Sequence, residues 1–241
     1  MKSKIILITG LLLSTVLFIS CKKVVDKAPL DSYTDESVWR DLKLAEAFAN
    51  NIYNVLPTFT VDWGNSLNRS LALSSACDEA FTKFGDGYTC GVRNVLNKGL
   101  LSPDNAGNFD IWAKNYHHIQ NANIFLSRID DVPGDEVFRK RIKGEVTFLR
   151  AYAYFQLISD YGGVPLIKEP FDLNSDFKRD RSSFDECARF VSDELDIAAG
   201  LLPATPQRGR IGSALALAIK ARLLLYSASP LWNPTNDQAK W

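Results

Sequence analysis

Between Thr58 and Gly99 the 241-residue chain gathers the side chains that hold a sugar best: Trp63, Phe81, Phe84 and Tyr88 among Asn65, Asp78 and Glu79. A pyranose offers an apolar face that stacks on an aromatic plane. Its hydroxyls pair with amides and carboxylates, because a buried polar group left unpaired costs about 1–3 kcal/mol. The same aromatics serve equally well to pin a long loop to a scaffold, and for any one of them that is the simpler role. Asp78-Glu79 is the only carboxylate pair in this stretch, yet neighbours in sequence point apart and no third carboxylate is placed to complete a glycosidase pair. Capping or bracing of the loop is the expected use of those two. His117-His118 are the only histidines, and on a helix adjacent side chains diverge by about 100°, a poor arrangement for one metal. No serine lies in a Gly-x-Ser-x-Gly elbow and no glycine-rich phosphate loop follows a strand. The residues point to binding without catalysis, metal or cofactor.

The elements that would position this segment are helical. Periodicity predicts helices near 36–56, 66–77, 107–129, 136–161, 184–202 and 211–228, with few strand signals. Phe148, Tyr152 and Phe155 recur at i, i+4, i+7 and make one aromatic face, while Gly162-Gly163 supplies a positive-φ stop and Val164-Pro165 an extended exit. The links Val132-Pro133-Gly134 and Pro203 to Gly209 are short, which sets successive helices antiparallel. Helix 211–228 carries two apolar stripes, Leu215/Ile219/Leu223/Tyr226 and Leu217/Ala221/Leu224, so it is expected to be covered on two sides. Glu145, Arg150 and Arg222 fall in these apolar helices, where a charge is tolerated best as one half of an ion pair.

Several of these stretches together resemble the SusD/RagB family of outer-membrane nutrient-binding lipoproteins. The run Phe148-Leu-Arg-Ala-Tyr-Ala-Tyr-Phe through Gly162-Gly163-Val-Pro-Leu-Ile167 is similar to the family's signature helix and turn. So are Asp31–Leu56, Ile111-Trp112 with Tyr116, Ile119 and Ala122-Asn123, the Arg181–Pro203 helix, and Gly209-Arg210-Ile211-Gly212 with Ala214–Pro230. The resemblance implies an all-α, tetratricopeptide-like helical solenoid with long irregular loops over residues 35–241. It implies a protein that binds oligosaccharide and delivers it to a SusC-like TonB-dependent transporter. Two alternatives stay open: a peptide-binding relative, and a periplasmic helical-repeat scaffold that binds only protein. Full members are longer, and Asp237–Trp241 resembles the start of the family's next helix, so an N-terminal fragment or truncated reading frame is expected.

The first residues set the compartment. Lys2 and Lys4 precede the apolar run Ile5–Ile19, which is shorter than the roughly 20 residues of a membrane span, and Ser20-Cys21 follows. This is the pattern of a lipoprotein signal peptide over residues 1–20, with Cys21 as the lipidation point; an ordinary secretory signal is the alternative. Residues 21–34 then read as a tether on a lipid-anchored protein; Lys22 after the cysteine fits export beyond the inner membrane, and the family resemblance implies an outer-membrane position facing the cell surface. The full chain balances 28 basic against 28 acidic side chains, and removal of Lys2 and Lys4 leaves 26 against 28, which excludes a nucleic-acid partner. In such an oxidising compartment Cys77 and Cys90 either form a bridge closing a short loop or stay as free thiols.

Overall fold

The computed structural model describes residues 35–57, 99, 102, 110–171 and 178–238. The predicted helix 66–77 therefore lies outside the described residues. Two compact units divide the chain, Met1–Val38 and Trp39–Trp241. Within the first, the described part is the single helical turn α1 (Asp35–Val38). The second holds α2 (Leu42–Ile52), a 3-10 turn Tyr53–Val55, α3 (Trp112–Arg128), a 3-10 turn Ile129–Asp131, α4 (Glu136–Tyr161), α5 (Phe184–Leu201) and α6 (Ser213–Ala228). No β-strand occurs among the described residues, in keeping with the all-α expectation.

One helix was expected across 36–56, and the chain breaks it at Trp39-Arg40. The cause is Asp41, whose carboxylate accepts the Lys43 N–H at 2.7 Å and starts α2 afresh. The start of α4 uses Asp135 in the same way, and α5 opens with a full capping box between Ser183 and Glu186. At its other end α4 stops at Gly162, with φ 71°, as the sequence predicts. A Cβ at Gly162 would stand 2.8 Å from the Trp232 indole, and one at Gly163 only 2.0 Å from the Ser182 carbonyl oxygen. Both glycines are thus required for close approach as well as for the turn.

Successive helices pack in chain order, α3 on α4, α4 on α5 and α5 on α6, with α2 laid against α3 and α4. The core runs through the middle of this stack. Phe125, Ile129, Ile142, Leu149, Tyr154, Leu157 and Leu195 are fully buried, and burial of such side chains stabilises by roughly 1.5–3 kcal/mol each. The signature helix behaves as its spacing predicts, its rings running Phe148, Tyr152, Phe155 at 6.0 and 6.2 Å.

On α6 the outcome differs from the expectation. Ile219 and Leu223 are buried with Ala216, but Leu215 and Tyr226 sit at the rim, each 42 % exposed, and Leu217 and Leu224 face out at 53 % and 50 %. Only one side of this two-sided helix is covered.

Candidate functional site

The predicted ligand residues Trp63, Asn65, Asp78, Phe81, Phe84 and Tyr88 lie outside the described residues, as do Cys21, Cys77 and Cys90. The described structure shows the frame to which that segment attaches. After α4 the chain crosses α3 as an extended strap, residues 163–171, and no β-strand pairs with it among the described residues. Side chains take over that role. Tyr116 donates to the Pro165 carbonyl at 2.8 Å, and Tyr154 both accepts the Ile167 N–H at 2.7 Å and donates to its carbonyl at 2.9 Å. Asn123 donates to the carbonyls of Ile167 and Glu169, and Gln120 pairs with both backbone groups of Phe171. Burial pushes the Tyr116 and Tyr154 hydroxyls above the ordinary phenol range, so both stay protonated and keep donating.

A buried ion pair locks the strap in place. Arg150 donates to Glu194 at 2.8 Å and to Asn123 Oδ1 at 2.9 Å, joining α4, α5 and α3. Burial raises the Glu194 carboxyl above its usual range, and Arg150 opposes that rise. Glu145 finds two partners: Arg141 at 2.6 Å and Arg210 at 3.3 Å, both of which also bind Glu46. The result is a closed ring of two carboxylates and two guanidiniums that ties the lead-in of α6 to α2 and α4. Net lowering holds the Glu46 carboxyl below its usual range; burial acts against this, and Arg141 and Arg210 prevail. The Tyr53 hydroxyl borders this ring without a hydrogen bond of good geometry, and burial with the Glu145 charge pushes it up to about 12. Of the three charges singled out in the sequence, Glu145 and Arg150 are paired and Arg222 is not; it is exposed on α6, in no ion pair among the described residues.

His117 and His118 do not converge. His117 reaches Asn121 at 3.1 Å, whereas His118 is buried with Nδ1 unpartnered, and burial followed by the Lys114 and His117 charges pushes it down to about 4. No cluster of three metal-ligating side chains occurs among the described residues. Cys187 is a buried free thiol that donates to the Val164 carbonyl at 3.3 Å. No helix among the described residues is long and apolar enough to cross a membrane.

One cluster escaped the sequence reading. The described run 110–171 opens at Asp110, whose Oδ1 accepts the Trp112 N–H at 3.0 Å and the Tyr161 hydroxyl at 3.1 Å. The Trp112 indole stands edge-on to Tyr161 at 5.2 Å and tilted against Tyr116 at 5.0 Å. In the sequence Trp112 and Tyr116 enter only as part of the family resemblance, and the 51-residue separation of Asp110 from Tyr161 hides their meeting.

A stack of antiparallel helices packed in chain order, with no β-strand among the described residues, defines an all-α, tetratricopeptide-like helical protein. A family profile described as starch-binding and associating with the outer membrane matches residues 30–225, and the chain belongs to this SusD-like family. It is similar to SusD-like protein P38 of Formosa agariphila, 27 % identical over 93 % of the chain and 43 % of that relative. Among solved structures, a SusD-like protein from Bacteroides fragilis superposes with a TM-score of 0.71 at 30 % identity, over 84 % of this chain and 38 % of that one. A laminarin-binding SusD-like protein shares the fold, with a TM-score of 0.67 at 23 % identity over 80 % of this chain and 42 % of that one. The chain thus spans well under half the length of these relatives.

Proposed function

We propose that this protein is a non-catalytic, lipid-anchored outer-membrane protein that captures oligosaccharide and passes it to a SusC-like TonB-dependent transporter. The observation that carries the reading is the family match across residues 30–225, with its starch-binding, outer-membrane description. The laminarin binding named for one structural neighbour supports a neutral glucan as the ligand class. The segment 58–99 supplies the platform, with Trp63 as the stacking residue and Asn65 and Asp78 as hydroxyl partners. Cys21 carries the lipid, and the acyl chains rather than any helix hold the protein at the membrane.

Titration calorimetry of the full chain against malto- and laminari-oligosaccharides, with product analysis after long incubation, tests this reading. Binding of a glucan that returns intact, weakened by Trp63→Ala, is the expected result. Absence of binding to the whole panel would remove the glycan assignment, and any cleaved product would remove the non-catalytic one.

A further inference from the structure

The geometry points to a second sugar contact at the start of α3, made by Trp112, Asp110 and Tyr161, where a neutral glycan ring stacks on the indole and one of its hydroxyls donates to Asp110 Oδ2. The inference rests on the glycan-binding reading and adds to it residues that neither the family description nor the sequence pattern assigns to a ligand.

Three observations lead there. First, the indole is only half-buried, and its two ring neighbours meet it at steep angles: Tyr161 at 86° and Tyr116 at 48°. Neither lies flat on it. These two contacts hold the indole in one orientation, and no aromatic ring among the described residues stacks parallel on it. A fixed indole loses little freedom when a sugar stacks, which favours binding.

Second, the carboxylate beside it is oriented but not saturated. Oδ1 of Asp110 takes both available donors, the Trp112 N–H and the Tyr161 hydroxyl, and the same hydroxyl accepts the Ile111 N–H at 3.1 Å. Tyr161 is thereby used on both sides and fixes the rotamer of Asp110. Oδ2 accepts no hydrogen bond among the described residues, and Asp110 is exposed. An aromatic plane next to a carboxylate oxygen with capacity to accept is the chemistry that recognises a pyranose: the C–H face goes to the ring and a hydroxyl to the oxygen.

Third, the parts sit on rigid elements. Trp112 begins a 17-residue helix and Tyr161 ends a 26-residue one. Tyr116 below them is tied to the strap through Pro165, so the pair is held from three sides. Sites mounted on helix ends keep their geometry better than sites on loops.

The test uses the full chain and laminari- and maltoheptaose as probes. The expected result is that Asp110→Asn and Trp112→Leu each weaken binding at least about fivefold while the thermal midpoint stays near that of the wild type. In wild-type protein, saturating probe should also shield Trp112 from oxidation by N-bromosuccinimide, read by peptide mass spectrometry. That second readout needs no variant and stands even if Trp112→Leu unfolds. Binding that is lost in Trp63→Ala but unchanged in Asp110→Asn, with Trp112 oxidised equally with and without probe, would overturn this contact and leave the glycan-binding reading standing. A wild-type chain that binds neither probe would overturn both.

Discussion

Removing the Glu145 carboxylate is the sharpest test of how this solenoid is held together. Glu145 is completely buried and receives Arg141 at 2.6 Å and Arg210 at 3.3 Å, while Glu46 takes the other arms of the same two guanidiniums. Truncating one member of a buried ion pair costs about 3–5 kcal/mol, because the partner is left desolvated without compensation. Here the partners are 16 % and 21 % exposed and keep Glu46, so Glu145→Ala should cost less, about 2–4 kcal/mol. For a chain of this size that is a fall in Tm of roughly 4–16 °C. Urea unfolding followed by circular dichroism at pH 7 measures it. A cycle with Arg210→Ala should show a coupling of about 1–2 kcal/mol, whereas Glu145→Ala combined with Glu194→Ala, in a separate network, should be additive. A loss under about 0.5 kcal/mol for Glu145→Ala, or full additivity with Arg210→Ala, would refute the closed ring.

A strap glycine and a helix glycine should separate cleanly. Gly163→Ala should cost about 3 kcal/mol or more, since its Cβ would meet the Ser182 carbonyl oxygen at 2.0 Å, whereas Gly200→Ala on α5 meets nothing within 4 Å and should stabilise by about 0.5–1 kcal/mol. Acid should weaken the fold through His118. Its folded pKa of about 4 lies below the ordinary value of 6.5, so the stability it contributes is present above pH 6.5 and is lost as pH falls toward 4. After allowance for solvent screening the loss is on the order of 1–2 kcal/mol, and His118→Leu should flatten that slope in unfolding measured from pH 7 to pH 4. Cys21→Ser should abolish incorporation of a fatty-acid analogue and release the protein from membranes; labelling that persists would place the lipid elsewhere. The uncovered side of α6 should bind an apolar dye, and Leu217→Lys with Leu224→Glu should reduce that signal without lowering Tm.

Much of this protein is decided by local sequence. The aromatic spacing of Phe148, Tyr152 and Phe155, the stop at Gly162 and the Ser183 capping box each concern residues within a turn or two, where backbone preference and side-chain hydrogen bonds act directly. Those signals also carry the family resemblance that the profile match bears out. What crosses long stretches of chain was not legible. The sequence marks Glu145 and Arg150 as charges in need of partners but not that the partners are Arg210, 65 residues on, and Glu194, 44 residues on. It predicts one helix across 36–56, since periodicity continues through Asp41, and only the Asp41–Lys43 hydrogen bond reveals the restart. It gives α6 two apolar stripes, while the packing of α4 and α5 determines which stripe is covered. Asp110, Trp112 and Tyr161 form a unit solely because α3 and α4 lie side by side, bringing the start of one helix to the end of the other. Periodicity reports which face of a helix is apolar; tertiary packing alone selects which distant polar groups meet, because that choice depends on the helix neighbours rather than on the chain neighbours.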